Sequence, residues 1–390
     1  NWGYNPLTYN SLHQAYCYGK EPYEQINELR EFISLCHKNG MGVTFDVVFN
    51  HVYNVKSFNL ANMLPYYFFR YKDGKLGNAS YCGNEVRTEA FFTREYLKLL
   101  VKRFIDIYDL DGYRFDLMGI LDVETIEAIR DTARSLKPDF LMYGEGWNMG
   151  DIVPFEYRAI KENAYKLDGV AFFNDDFRRT IRGNYIDDKN AYMLGYVDAR
   201  DRVKRVMSGS YEYGLNINQT INYIECHDNY TVYDKVSRFF DDEKMVSRIC
   251  KLSMALVMIS RGIPFINSGE EFLRTKHGID NTYNLDDSIN MLDWHRKNNY
   301  LDVARYFSDL CLLRKTYKEF TEENVDIEFI DYYEVLIYKL GDLTIYINPC
   351  IFDHVYNDEM EHEVIFDDSG FVNYKRSVLK IKAFSILITK

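Results

Sequence analysis

The chain has 390 residues and a formal net charge of −12 with no Lys/Arg stripe or tail, which excludes nucleic acid and an anionic membrane surface as the main partner. With 47% hydrophobic and 16% aromatic residues it can bury one barrel-sized core plus a smaller one, and no apolar run nears the roughly 20 residues that cross a bilayer. Seven scattered cysteines without CxxC pairing, and an opening Asn1-Trp2-Gly3 with no leader pattern, point to reduced thiols in a cytoplasmic protein.

Glu21-Pro22 opens a helix whose apolar positions Ile26, Leu29, Ile33 and Cys36 recur every three or four residues, and Asn39-Gly40 closes it. A nearly continuous apolar strand follows over 41–49, as a parallel sheet covered by helices requires. The Asn-, Tyr- and Gly-rich stretch 52–93 has no sustained period and reads as a loop excursion after the third strand of a barrel. A helix over 95–108 then leads to a strand at 112–117, and a helix over 122–136, capped by Asp122, leads to a strand at 140–143. Further strands are predicted at 169–173, 221–226 and 262–267, the last after an apolar helix over 245–259. From Asn324 the helical signal gives way to alternating stretches at 335–340, 343–348, 363–366 and 384–389. The expected organisation is therefore a catalytic α/β barrel domain at 1–323 and a small antiparallel β domain at 324–390.

Acids and histidines gather at the ends of four of these strands, in GVTFDVVFNH (42–51), DGYRFDLMG (111–119), LMYGEG (141–146) and INYIECHDN (221–229). A lone Asp or His at a strand end is usually a cap, but four in order suggest one rim, because parallel barrel strands converge at their C-terminal ends. Cleaving a glycosidic bond with retention needs two carboxyls about 5–5.5 Å apart, one attacking the anomeric carbon and one shuttling a proton. Asp116 suits the first role: Arg114, two residues earlier on the same strand face, would hold its carboxylate ionised and aimed. Glu145, between two glycines and before Trp147, suits the second, an apolar neighbour raising its pKa. His51, His227 and Asp228 would grip hydroxyls and stabilise developing positive charge, with Asp46 orienting the others. A catalytic metal is disfavoured, since helical His spacing is absent and Arg114 beside Asp116 would repel a cation.

The segments DVVFNH (46–51), GYRFDLMG (112–119), YGEGW (143–147) and ECHDN (225–229) resemble the four signature regions of the α-amylase clan. NWGYNP (1–6), CGNE (82–85), FNDDFRRTIRG (173–183), HDNYTVYDK (227–235), GEEFLRTK (269–276) and YNLDDSINMLDW (283–294) are similar to one branch, the type I pullulanases. That resemblance implies a (β/α)8 TIM-type barrel followed by a C-terminal β-sandwich, acting on branched α-glucans. It implies Asp116 as nucleophile, Glu145 as general acid/base and Asp228 as transition-state stabiliser. Asp46, His51, Arg114 and His227 would line the subsite of the attacked glucose, Tyr4 would stack beneath it, and Trp147 would offer a platform on the leaving-group side. No organic cofactor is implied. Asn50 matches a calcium-ligand position of some α-amylases, without further identifiable ligands. In this family the NWGY segment follows the first barrel strand, so that strand is expected to be supplied by upstream residues or another chain. Isoamylase or glycogen-debranching specificity, and a truncated, inactive carbohydrate-binding relative, are the alternatives.

Overall fold

The computed structural model describes residues 2–209 and 215–390, which leaves Asn1 of the NWGYNP segment outside the described residues. It divides into two compact units, one comprising the described residues up to Phe173 together with Leu215, the other those from Asn174 onwards.

In the first unit, helix α1 (Pro22–Lys38) starts on Pro22 and on a capping box in which Glu21 and Glu24 satisfy each other's backbone N–H groups. Strand β1 (Thr44–Val47) follows, then helix α2 (Phe91–Tyr108), which Asp109 stops by turning left-handed at φ 55°. Strand β2 (Gly112–Phe115), helix α3 (Val123–Leu136), strand β3 (Leu141–Gly144) and strand β4 (Ala171–Phe173) complete the repeat. The expected cap is present, with Asp122 Oδ1 accepting from Thr125 N at 2.9 Å. The four strands pair in parallel in the order β1-β2-β3-β4, and Val47, Phe115 and Gly144 stand level in the register. Gly112 is required for this spacing, since a Cβ there would stand 2.5 Å from the Leu141 carbonyl oxygen. The apolar faces of α2 and α3 meet the sheet in a core holding Leu97, Val101, Tyr113, Phe115, Ile126, Ile129 and Phe172. The stretch 52–93 is more ordered than its composition predicts: it forms a short helix (Asn59–Met63) and a hairpin (Tyr71–Lys72 with Lys75–Leu76). It is tied inward by buried Arg70, which donates to Ile120 O at 2.8 Å and pairs with Glu89.

The second unit contains helix α4 (Asp175–Arg182), capped by Asn174, and a parallel pair, β5 (Thr220–Asn222) and β6 (Ile263–Pro264), joined through helix α5 (Glu243–Ile259). After helix α6 (Leu301–Thr316) come strands β7 (Ile327–Tyr332), β8 (Val335–Leu340), β9 (Leu343–Asn348), β10 (His354–Asp367), β11 (Gly370–Ile381) and β12 (Ser385–Thr389). They form one antiparallel sheet in the order β11-β10-β12-β9-β8-β7. One face packs on α5 and α6 through Leu336, Tyr338, Ile345 and Ile388, while the other gathers Val335, Ile337, Tyr346, Val364 and Leu379 into a second small core. The six strands form one continuous hydrogen-bonded sheet with apolar residues on both faces.

All six parallel strands predicted from periodicity are present, four in the first unit and two in the second, and all but β3 are shorter than the stretch predicted for them. A complete eight-stranded barrel is not seen among the described residues. The change from helix to antiparallel strand near Asn324 falls inside the second unit, at Ile327. Among the described residues no helix is long and apolar enough to cross a membrane.

Candidate active site

Register places the acids of the first unit. Asp116 and Glu145 are the residues immediately after Phe115 and Gly144, which are partners on β2 and β3, so the two leave neighbouring strands at one height. Their backbone N–H groups still bond to the preceding strand, Asp116 N to Val47 O at 3.0 Å and Glu145 N to Phe115 O at 3.1 Å. Asp46 lies on β1 opposite Arg114 on β2.

Arg114 is the hub. Its Nη1 donates to Asp46 Oδ1 at 2.8 Å and, more weakly, to Asp116 Oδ1 at 3.4 Å, while Nη2 donates to Glu145 Oε1 at 2.5 Å. The second oxygen of Glu145 accepts from Leu117 N at 3.0 Å, across a left-handed turn at Leu117. Asn50 Nδ2 donates to Asp116 Oδ2 and to its carbonyl, both at 2.8 Å, and Asn50 Oδ1 meets His51 Nδ1 at 2.6 Å. Tyr4 donates its hydroxyl to Asp46 Oδ2 at 2.6 Å, and the Arg114 guanidinium lies 5.6 Å from its ring centre. Trp147, half-buried, carries the Lys161 ammonium 4.9 Å over its ring.

The electrostatics differ from the sequence expectation at both acids. Burial pushes Asp116 up from its ordinary 3.8 to about 6; Arg114 and the Asn50 hydrogen bond pull the other way and do not overcome it, and Asp46 adds to the rise. Arg114 stands closer to Glu145 than to Asp116, and the apolar neighbour expected to keep Glu145 protonated is a ring with a cation above it. Burial also lowers His51 and favours a neutral imidazole, against a hydrogen bond that the ring donates to the Tyr4 backbone carbonyl. The charge of Arg114 survives its burial because Glu145, Asp46 and Asp116 outweigh it.

Both ends of the Asn50 carboxamide are engaged, by Asp116 and by His51. Among the described residues no group of three or more His, Cys, Asp or Glu side chains is arranged to hold a metal ion.

His227 and Asp228 belong to the second unit. They sit on the turn after β5, where the chain leaves the sheet at Asn222. Buried Glu225 holds this turn by accepting from Val232 N at 2.6 Å and from Asn267 Nδ2 at 2.9 Å. The Asp228 side chain is 51% exposed, with His227 Nε2 3.7 Å from its Oδ1.

No family model matches the chain. It is 33% identical over 400 residues to the pullulanase of Bacillus subtilis (strain 168), an alignment covering 95% of this chain and 56% of that protein. The crystal structure of pullulanase type I from Bacillus subtilis str. 168 complexed with maltose matches all of this chain with a TM-score of 0.94 at 29% identity, over 59% of its own length. The pullulanase from Anoxybacillus sp. LM18-11 complexed with maltotetraose matches all of it at 0.95 and 30% identity, over 60% of its own length. This chain is a relative of the type I pullulanases. It spans a little over half the length of the pullulanases named here.

Of the residues singled out from the sequence of this pullulanase relative, Tyr4, Asp46, Arg114, Asp116 and Glu145 are joined in one hydrogen-bonded network, with His51 attached through Asn50. Sequence reasoning missed Asn50 as the donor to Asp116, although its place directly before His51 was a usable signal. It also missed Gly119, whose N–H bonds to Glu145 O at 2.9 Å and where a Cβ would collide with the Trp147 carbonyl oxygen. Gly119→Ala is expected to cost about 2 kcal/mol or more in urea unfolding, because backbone on both sides must move. A variant as stable as the parent would show that this approach is not close in solution.

Proposed function

We propose that this chain carries the catalytic machinery of a retaining glycoside hydrolase that cleaves α-1,6-glucosidic branch linkages in pullulan, amylopectin and limit dextrins. The observation that supports it best is the placing of Asp116 and Glu145 at one height on adjacent strands, on the two arms of a single guanidinium. In this reading Asp116 attacks the anomeric carbon as Glu145 gives its proton to the departing branch oxygen, leaving a glycosyl ester on Asp116. Glu145 then takes a proton from water as the water displaces Asp116, and retention follows from two inversions. Asp228 and His227 stabilise the oxocarbenium-like states. Turnover needs the proton on Glu145 and the charge on Asp116; Arg114 touches both, so a small movement toward Asp116 as sugar binds exchanges their preference.

Asp46, His51 and Tyr4 hold the attacked glucose, and Trp147 meets the leaving-group side. The reaction calls for no cofactor. Strand β1 pairs only with β2 among the described residues, and the strand expected before it is proposed to come from upstream residues or another chain. Seven unbridged cysteines support a reducing, cytoplasmic setting.

Incubation with pullulan, followed by product analysis, tests the specificity. Maltotriose as sole product is the expected result. Poor action on pullulan with rapid debranching of glycogen would favour isoamylase-type specificity, and no turnover of either would favour a carbohydrate-binding relative.

A further inference from the structure

We propose that Lys276 is a positioning residue for Asp228: its ammonium holds the two peptide carbonyls that flank Asp228 and so sets where the carboxylate stands. The inference rests on the stabilising role proposed for Asp228 above. The Lys276 Nζ donates to His227 O at 3.0 Å, to Asn229 O, and to Asp280 O at 3.3 Å. An ammonium has three N–H donors, and three carbonyls receive them.

Lys276 is 2% exposed, although a lysine is rarely fully buried. Burial lowers its pKa, so the charge is kept at some cost to itself. The backbone of Lys276 is fixed as well. Its N–H bonds to Asp234 Oδ2 at 2.8 Å, and Thr275 donates its hydroxyl to Asp234 Oδ1 at 2.5 Å. Asp234 lies in the short helix Val232–Val236 that begins directly after the Asp228 turn, capped by Thr231. The lysine and the turn therefore share one anchor.

The turn is held at several points. Asn229 is left-handed at φ 61°, a conformation asparagine adopts more readily than most residues, and its side-chain oxygen is taken by Arg178 Nη2. The Asp228 carboxylate is half exposed, and among the described residues its ion-pair contact is with its neighbour His227, at 3.7 Å. Its placement is thus inherited from the backbone on either side. A misplacement of about 1 Å at a reacting centre can cost roughly 100-fold in rate.

A double-mutant cycle separates this role from a general structural one. Lys276→Met, assayed on pullulan at a temperature where circular dichroism shows it folded, is expected to lose about 10- to 100-fold in kcat with KM changed less than about threefold. Lys276→Arg keeps the charge and should recover part of that loss; it replaces the methionine variant in the cycle if the latter does not fold. In an Asp228→Asn background, with all four variants of the cycle measured on the same activated glucoside, the Lys276 substitution should cost less than about threefold. If Asp228→Asn is crippled but the Lys276 substitution costs the same factor in both backgrounds, or if Lys276→Met alone keeps its kcat, the positioning role is overturned. Full activity in Asp228→Asn would overturn the role of Asp228 itself and this inference with it.

Discussion

Asp116→Asn should lose turnover of pullulan by about 10⁴-fold or more in kcat, while dextrin binding remains measurable. The amide cannot form the glycosyl ester, yet it keeps the shape and the Asn50 hydrogen bond, so substrate affinity is the control. The same variant should be more stable than the parent at neutral pH. The folded protein raises Asp116 from 3.8 to about 6, so it binds this proton more tightly than the unfolded chain does. Ionised Asp116 therefore costs stability, fully above pH 6 and progressively less as pH falls toward 4. A two-unit shift corresponds to about 3 kcal/mol at most, and a neutral side chain removes it. Thermal melts at pH 7.5 and pH 4.5 check the sign: the advantage of the variant should shrink at the lower pH. In the parent, kcat/KM should fall below an apparent pKa near 6, since the nucleophile must be ionised. Activity unchanged in Asp116→Asn would end the nucleophile assignment.

Arg114→Met should be the most destabilising substitution in the first unit. It removes the donor to Asp46, Asp116 and Glu145 together and leaves three acids facing one another, two of them buried. Breaking a buried ion pair from one side typically costs about 3–5 kcal/mol. The loss should grow as pH rises, because the unpaired acids can escape repulsion only by taking up protons. Arg114→Lys restores one charge but not the fork that reaches two strands, so it should recover stability more than activity. Urea unfolding at pH 5 and pH 8, with pullulan assays alongside, measures both. A loss below about 1 kcal/mol at pH 8 would mean that the acids are not held by this guanidinium.

The elements that the chain announces are those with local causes. Asp122 before an amphipathic run caps a helix wherever it occurs, Glu21-Pro22 starts one, and apolar stretches between helices become parallel strands. The acids at the strand ends were legible for the same reason, since β2 and β3 must leave the sheet side by side. The hairpin of β10 and β11 was only partly legible: much of β10 is exposed and its pairing shifts register between Asn357 and His362, which breaks the alternation that marks a strand.

By itself, the sequence determined which side chains are candidates for the chemistry and in what order the strands present them, because helix caps, hydrophobic periods and strand ends depend on neighbours a few residues away. Tertiary structure alone decided how those side chains are charged and held. The raised pKa of Asp116 depends on how much water the packed strands exclude, the closer approach of Arg114 to Glu145 on where one guanidinium settles among three acids, and the clamp on the Asp228 turn on a lysine nearly fifty residues further along the chain. Desolvation and long-range hydrogen bonds are properties of the folded surface, and no local pattern of residues encodes them.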